Sequence, residues 1–401
     1  MKKLWQPLEP ENIRDPYAMY EALRTNDPVH LAQTGEFIIT RYEDVRYVLR
    51  SPSFRSGNRL NWLKRGVTHL ENRGEDLRAI RDAMNSFVLM LNGEQHRRIR
   101  NFIARAWNNR DVDGIIRDNI NAIISSLDGK ASIDFVSEFA QPLPVYTISR
   151  ILGIPVGDCK HLIELGLSMT KALDLYITLK DMVAIDSAAR QFISFFSDQI
   201  RQKHDRPDDG LLSRLIHTNR LENAGLTEEE LVSIAIFLFT AGEDTTASLI
   251  SNVLMNLLKH PATMAYVRRN PEKIAAVVEE VLRFDPVVHL LGRIAHEEVV
   301  LDGKAIPSGA TVTLVLAAAN RDPLVFDNAD RFMIDRTPNR HLSFGSGAHY
   351  CLGDWLGRRQ SQLAITAILE RWPTLELLDP NPGVYNNIAI RRLHSLRVLK
   401  C

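Results

Sequence analysis

The sequence predicts a mainly α-helical protein, a single domain over residues 1–401, with small β-sheets at its edges. Three observations lead there. Apolar residues recur at helical spacing over most of Glu94 to Leu282, strand-like alternation is confined to one early and one late segment, and no repeat or low-complexity linker divides the chain. With 401 residues, 45% of them hydrophobic and 24% charged, the chain is long enough to bury a sizeable core.

Taken in order, DPYAMYEALRTNDP reads as a helix bracketed by prolines, and VHLAQTGEFIITRY as a hairpin turning at Thr34-Gly35. A helix at YEDVRYVLR follows. From Ser51 to about Asn92 the charges are mixed and the period is poor, which predicts a long excursion over the body; loops of that length tend to be functional. The helical stretch after Glu94 is interrupted at Pro142, Pro144, Gly153-Ile154-Pro155 and Pro207. Strands return in GRIAHEEVVLDGKAIPSGATVTLVL, where GK and SG mark turns.

The longest helix starts at Thr227 and Glu230, which form a capping box, and stops before Pro261. Its roughly 32 residues extend about 48 Å, the width of a domain. Its middle, SIAIFLFTAG, is apolar on every face, as in a helix that crosses an interior. The same centre carries Gly242, Glu243, Asp244, Thr245 and Thr246. A mid-helix glycine costs about 0.5–1 kcal/mol relative to alanine, and buried acids cost more unless paired. Alone, AGEDTT admits two readings: solvated residues beside a packing glycine, or a functional break in local consistency.

Charge and cysteine content narrow the function. Lys plus Arg number 49 and Asp plus Glu 49, so no overall field favours nucleic acid or an anionic membrane. The N-terminal MKKLWQPLEPEN has no apolar run behind its lysines, and IAIFLF falls far short of the roughly 20 residues that span a bilayer. A soluble, cytoplasmic protein is the expectation. Cys159, Cys351 and Cys401 are widely spaced, which argues against a disulfide framework or a zinc site. A lone cysteine is most often a small buried hydrophobe.

Four segments change that reading of Cys351. They are AGEDTT; EEVLRFDP, with Glu280 and Arg283 three apart on one helical face; DNADRF, whose Arg331 could bring a second guanidinium to Glu280; and FGSGAHYCLG. In this order they resemble the signature set of the cytochrome P450 superfamily, and the chain looks like a soluble bacterial member over nearly its whole length. Phe344, Gly347, His349, Cys351 and Gly353 fill the five fixed points of the family's cysteine motif.

The resemblance implies the family's fold, with a haem b (iron protoporphyrin IX) between the long helix and the cysteine loop. Cys351 thiolate would be the axial ligand, a ligand that favours O–O cleavage. Its glycines would turn the backbone beneath the porphyrin, and the helix start that follows would favour the anion. The propionates would be met by His96 and Arg100, four apart in GEQHRRIR, by Arg293 in LLGRIA and by His349. Ala241, Gly242, Asp244 and Thr245 match the oxygen-activation motif. Thr245 would hydrogen-bond dioxygen and Asp244 feed protons, with Gly242 letting the helix open a groove. Glu243 fills the variable position and receives no role; Thr246 is read as structural. Glu280, Arg283 and Arg331 would form a network holding the loop before Cys351.

By the same analogy the substrate pocket has Phe87, Phe237, Thr240, Ala241, His289, Leu291 and Ile390 as candidate contacts, with a structural His289 equally open. Mostly apolar walls imply a lipophilic small molecule. The implied function is a monooxygenase inserting one oxygen atom from O2 by hydroxylation or epoxidation, in a biosynthetic tailoring step. Electrons would come from a ferredoxin and its reductase, docking near Arg358 and Arg359. The enzyme is expected to be a monomer without nucleic-acid or membrane partners. Rival readings are a haem-thiolate enzyme of another type, coupling rings or driven by peroxide, and a non-catalytic haem gas sensor. Peroxide users tend to lose the acid and alcohol that Asp244 and Thr245 supply. One departure stands out: Arg397 occupies a position where the family often has proline, which leaves the last strand pair open.

Overall fold

Thr227 and Glu230 start the longest element as their spacing implies. Glu230 Oε2 accepts from the Thr227 N–H at 3.0 Å and Thr227 Oγ1 from the Glu230 N–H at 3.2 Å. The helix runs Glu228–Lys259, 32 residues, with His260 and Pro261 beyond its end. It belongs to a computed structural model that describes residues 4–400 apart from 57–67, 70, 73, 75, 86, 108–110, 156, 158, 175 and 176. Most of these residues are helical, as expected.

The chain divides into two compact units. One comprises Met1–Asn58, Ile124–Ala140 and Thr245–Cys401; the other comprises Arg59–Ile123 and Gln141–Asp244. The central helix supplies its first part to the latter and its remainder to the former.

The first unit carries every strand among the described residues: β1 (Val29–Leu31), β2 (Phe37–Ile39), β3 (Phe54–Arg55), β4 (Ser132–Asp134), β5 (Leu290–Ala295), β6 (Val299–Leu301), β7 (Lys304–Ile306), β8 (Thr311–Val315), β9 (Leu375–Leu377) and β10 (Arg397–Lys400). A five-stranded sheet has the order β1-β2-β8-β5-β3, a three-stranded one β4-β10-β9, and β6 pairs with β7. The expected hairpin forms with Val29 opposite Ile39, and Gly35 (φ 83°) turns it. Asp302 and Gly303, both left-handed, make the tight turn between β6 and β7. One face of the large sheet packs with the helix Tyr42–Arg50 into a core that includes Phe37, Ile39, Val45, Val48, Val312 and Leu314. Arg397 forms an ordinary strand position opposite Asp134, its carbonyl accepting the Leu378 N–H, so the missing proline leaves the last pairing intact.

The second unit is helical. Phe192 and Phe196 of Leu179–Asp205 pack against Phe239 of the central helix, with ring centroids 5.7–6.2 Å apart. Pro142 and Pro144 mark a beginning: the helix Pro142–Leu152 starts there because the first turn needs no N–H partners. Gly153 ends it at φ 80°.

Two expectations need correction. Part of the Ser51–Asn92 excursion lies outside the described residues, but the rest is more regular than its composition suggests, with β3, a helix Arg78–Asn85 and a 3-10 turn Val88–Met90. Leu77, Ile80 and Ala83 bury one face at three-residue spacing, a period hidden by the charges between them. The buried Asp186 carboxylate accepts the Ile80 N–H at 2.8 Å, satisfying a first-turn donor. Strand β4 also interrupts the stretch read as helical, because only its pairing with β10 makes three residues a strand.

Candidate active site

The cysteine loop is shaped by its backbone. Gly345 (φ 73°) and Gly347 (φ 74°) are left-handed, and a Cβ on Gly347 would lie 2.8 Å from the Leu49 carbonyl, so only glycine fits. The Cys351 N–H donates to the Phe344 carbonyl at 2.9 Å and the Tyr350 N–H to that of Gly347 at 3.1 Å, which closes the loop. Cys351 is half-buried, three residues before the helix Asp354–Arg371, and joins no disulfide. Gly353 differs from expectation: it sits at φ −98° with open space at its Cβ position, so no backbone strain demands glycine there.

The helix Ile274–Phe284 holds this loop in place. Glu280 and Arg283 are both 0% exposed and pair through two hydrogen bonds of 2.9 and 2.7 Å. Arg283 also donates to the carbonyls of Asn320, Ala329 and Arg331, and Glu280 accepts the Met333 N–H at 2.8 Å. Arg331 therefore enters through its carbonyl, while its side chain is exposed; the second guanidinium is that of Arg336, 3.4 Å from Glu280. The turn closed by the Arg331 N–H on the Asn328 carbonyl leaves that side chain outside. Neighbouring Glu279 was missed by the sequence reading. Burial alone would raise its pKa, but hydrogen bonds from His341 and Arg358 outweigh this and bring it down to about 2. Arg358 also pairs with Asp354 at 2.6 Å and lies 4.3 Å over the Phe344 ring. It is thus paired within the loop region, and Arg359 is half-buried.

Arg293 is the site's clearest anomaly. It is 3% exposed on β5, and its Nη1 donates to the carbonyl of its own neighbour Gly292, at 2.8 Å. No carboxylate among the described residues pairs with it, so burial lowers its pKa to about 10. A buried guanidinium without a counter-anion is costly and suits a bound carboxylate. His349 is half-buried in the 3-10 turn Gly347–His349 of the same unit. In the other unit, His96 and Arg100 share a face of the helix Gly93–Ala106; burial, then the Arg100 charge, lowers the buried His96 pKa.

Between Leu231 and Leu257 the central helix is buried except along one stripe. Phe237, Ala241 and Thr245, about 40° apart per four-residue step, are accessible in part or fully, with Gly242 beside them. The helix passes unbroken through Gly242 instead of opening there, and a Cβ would sit at an ordinary 3.6 Å from Ile148. Asp244 and Glu243 are buried, which removes the solvated reading of both. Glu243 lies about 200° from Ala241, against Gly166 of the helix Cys159–Thr170. Thr240 is not a pocket donor: its hydroxyl is spent on the Ile236 carbonyl of the preceding turn, at 2.8 Å.

Of the remaining pocket candidates, Phe87 and Phe237 come together with ring centroids 5.7 Å apart. Ile390 forms a β-bridge with Val288, next to the start of β5, where Leu291 and Arg293 share a face. His289 is structural. It is 1% exposed, its Nδ1 lies 3.2 Å from the Tyr20 hydroxyl, and burial, then the Arg391 charge, lowers its pKa to about 3.

These groups fit a haem. A thiol on a glycine-shaped loop and an uncompensated buried guanidinium occur in one unit, and an accessible stripe with an alcohol interrupts an otherwise buried helix. Among the described residues, no helix is long and apolar enough to cross a membrane, and no cluster of three or more His, Cys, Asp or Glu side chains could hold a metal ion.

Known proteins resemble this chain over most of its length. The profile of the family described as Cytochrome P450 matches residues 173–382. The biotin biosynthesis cytochrome P450 of Bacillus subtilis (strain 168) is 33% identical over 378 residues, covering 92% of each chain. The cytochrome P450 monooxygenase PikC of Streptomyces venezuelae is 33% identical over 399 residues, covering 96% of this chain and 91% of its own. The crystal structure of P450BioI in complex with acyl carrier protein ligated to hexadec-9Z-enoic acid superposes with a TM-score of 0.89 at 30% identity, over 98% of this chain and 99% of that one.

Proposed function

The chain belongs to the cytochrome P450 family and is a cytochrome P450 monooxygenase, and we propose that it hydroxylates or epoxidises a lipophilic small molecule in a biosynthetic pathway. The reaction balances as R–H + O2 + 2 electrons + 2 protons giving R–OH + H2O. The family implies a haem with a cysteine thiolate ligand, which when bound activates dioxygen. The observation that carries the residue assignment is Arg293, a buried guanidinium with no carboxylate among the described residues.

In this reading the haem is haem b and Cys351 is its ligand, held by the Phe344 carbonyl and the two left-handed glycines. Arg293 and His349, which lie in one unit, would meet the propionates. Thr245, on the accessible stripe, would donate a hydrogen bond to dioxygen, and Asp244, one residue before it, would supply protons to that face. Glu280 and Arg283, with the Arg331 carbonyl, fix the loop that carries Cys351. Leu291 and Ile390, on the unit that carries Cys351, would wall the substrate and exclude water. Electrons come from a ferredoxin and its reductase.

A lipophilic substrate is consistent with the hexadecenoic chain on the carrier protein of the P450BioI complex and with the myristic acid named for another solved relative. The test is turnover under isotopically labelled dioxygen with a panel of long-chain acids, acyl carrier conjugates and macrolides. One labelled oxygen atom in the product supports the proposal. Product whose new oxygen comes from water or added peroxide overturns it.

A further inference from the structure

We propose that Glu243 is a positioning residue for the proton-delivery pair beside it, locked by a notch at Gly166; this rests on the assignment of Asp244 and Thr245 above. A Cβ built on Gly166 would lie 1.7 Å from Glu243 Oε1, 2.4 Å from its Cδ and 2.7 Å from Oε2. The carboxylate therefore occupies the space where any other residue would place its side chain. Each residue is unusual in its place. Glycine weakens the middle of the 12-residue helix Cys159–Thr170, and a carboxylate is uncommon at the buried centre of a long helix. Together they form an interlock, and paired departures of this kind mark functional constraint.

The interlock acts on rotation. Glu243 stands about 200° from Ala241, opposite the accessible stripe of Phe237, Ala241 and Thr245. A side chain seated in a fixed notch on one side of a helix sets which residues face the other side. Asp244 and Thr245 follow Glu243 directly, so they turn with it. To accept a methyl group on Gly166, Oε1 must retreat from 1.7 Å to the ordinary contact range of 3.4–4 Å. A misplacement of about 1 Å at reacting groups costs up to about 100-fold in rate, so even part of that movement passed along the helix to Asp244 and Thr245 would register.

The experiment is a size-swap cycle in the full-length, haem-loaded protein with Gly166→Ala, Glu243→Ala, the double variant, and Glu243→Gln, which keeps the shape. Two readouts are taken: product formed per O2 consumed, with the remainder as hydrogen peroxide, and the thermal unfolding midpoint. Gly166→Ala is expected to cut coupling about tenfold, while the double variant and Glu243→Gln stay within about twofold of the parent. Additive losses in the double variant overturn the interlock. Rescue of the unfolding midpoint without any effect of Gly166→Ala on coupling overturns the positioning role. Should Gly166→Ala not accumulate as folded protein, the double variant decides: folded and coupled supports the interlock, unfolded overturns it. Thr245→Ala separates this inference from its premise. Unchanged coupling there overturns both, whereas uncoupling there without uncoupling in Gly166→Ala overturns only the role of Glu243.

Discussion

Replacing Glu280 by alanine deprives five donors of their acceptor: Arg283 Nε and Nη2, the Met333 N–H, Arg336 Nε and Asn339 Nδ2. Glu280 and Arg283 are both wholly buried, so the guanidinium cannot turn to water. Removing one partner of a buried ion pair costs about 3–5 kcal/mol, and a buried N–H left without an acceptor about 1–3 kcal/mol more. A loss of about 4–8 kcal/mol is then of the order of the whole stability of a typical protein, about 5–15 kcal/mol. Glu280→Ala should accumulate as insoluble or haem-free chain, and Glu280→Gln, which keeps an acceptor but not the charge, should fall between it and the parent. Urea unfolding followed by circular dichroism, with soluble yield measured in parallel, provides the assay. A Glu280→Ala protein within about 1 kcal/mol of the parent would refute the reasoning that this carboxylate holds the loop before Cys351.

Other outcomes follow from the same contacts. Arg293→Leu removes the uncompensated buried cation, so the haem-free chain should be at least as stable as the parent while haem affinity falls; tighter haem binding would contradict the propionate assignment. Glu279 is held at about 2, below its ordinary 4.5, so its contribution is present above about pH 4.5 and lost as pH falls towards 2. Glu279→Gln should flatten the stability profile in that window. His289 is kept neutral down to about pH 3 while an unfolded chain binds the proton below about 6.5, so stability should fall as pH drops from 6.5 to 3. An unchanged slope in His289→Phe, measured by unfolding across that range, would count against the buried neutral imidazole. Thr245→Ala should keep haem binding but divert reducing equivalents to hydrogen peroxide, read as peroxide formed per O2 consumed.

What the sequence made legible was local. The capping box at Thr227 and Glu230, the turn at Gly303 and the pair Glu280 and Arg283 each depend on residues a few positions apart, whose geometry the helix or turn dictates. What it hid was long-range. Arg331 and Arg336 are equally plausible partners for Glu280 in sequence, and only the turn after Asn328 sends one outward and leaves the other beside it. Glu279 has no partner close in sequence among the described residues, since His341 and Arg358 lie 62 and 79 residues away. His289 likewise meets Tyr20, 269 residues distant, which turns a candidate substrate contact into a core side chain. Glu243 has no role legible in the motif for the same reason, since the space it fills lies beside a glycine on another helix.

The most direct test of the central assignment is the absorption spectrum of the reduced, carbon monoxide-treated protein with Cys351→Ala beside the parent. The parent should show the strongly red-shifted band that thiolate ligation gives, and Cys351→Ala should lose it while Cys159→Ala keeps it. A red-shifted band that survives in Cys351→Ala would contradict the account.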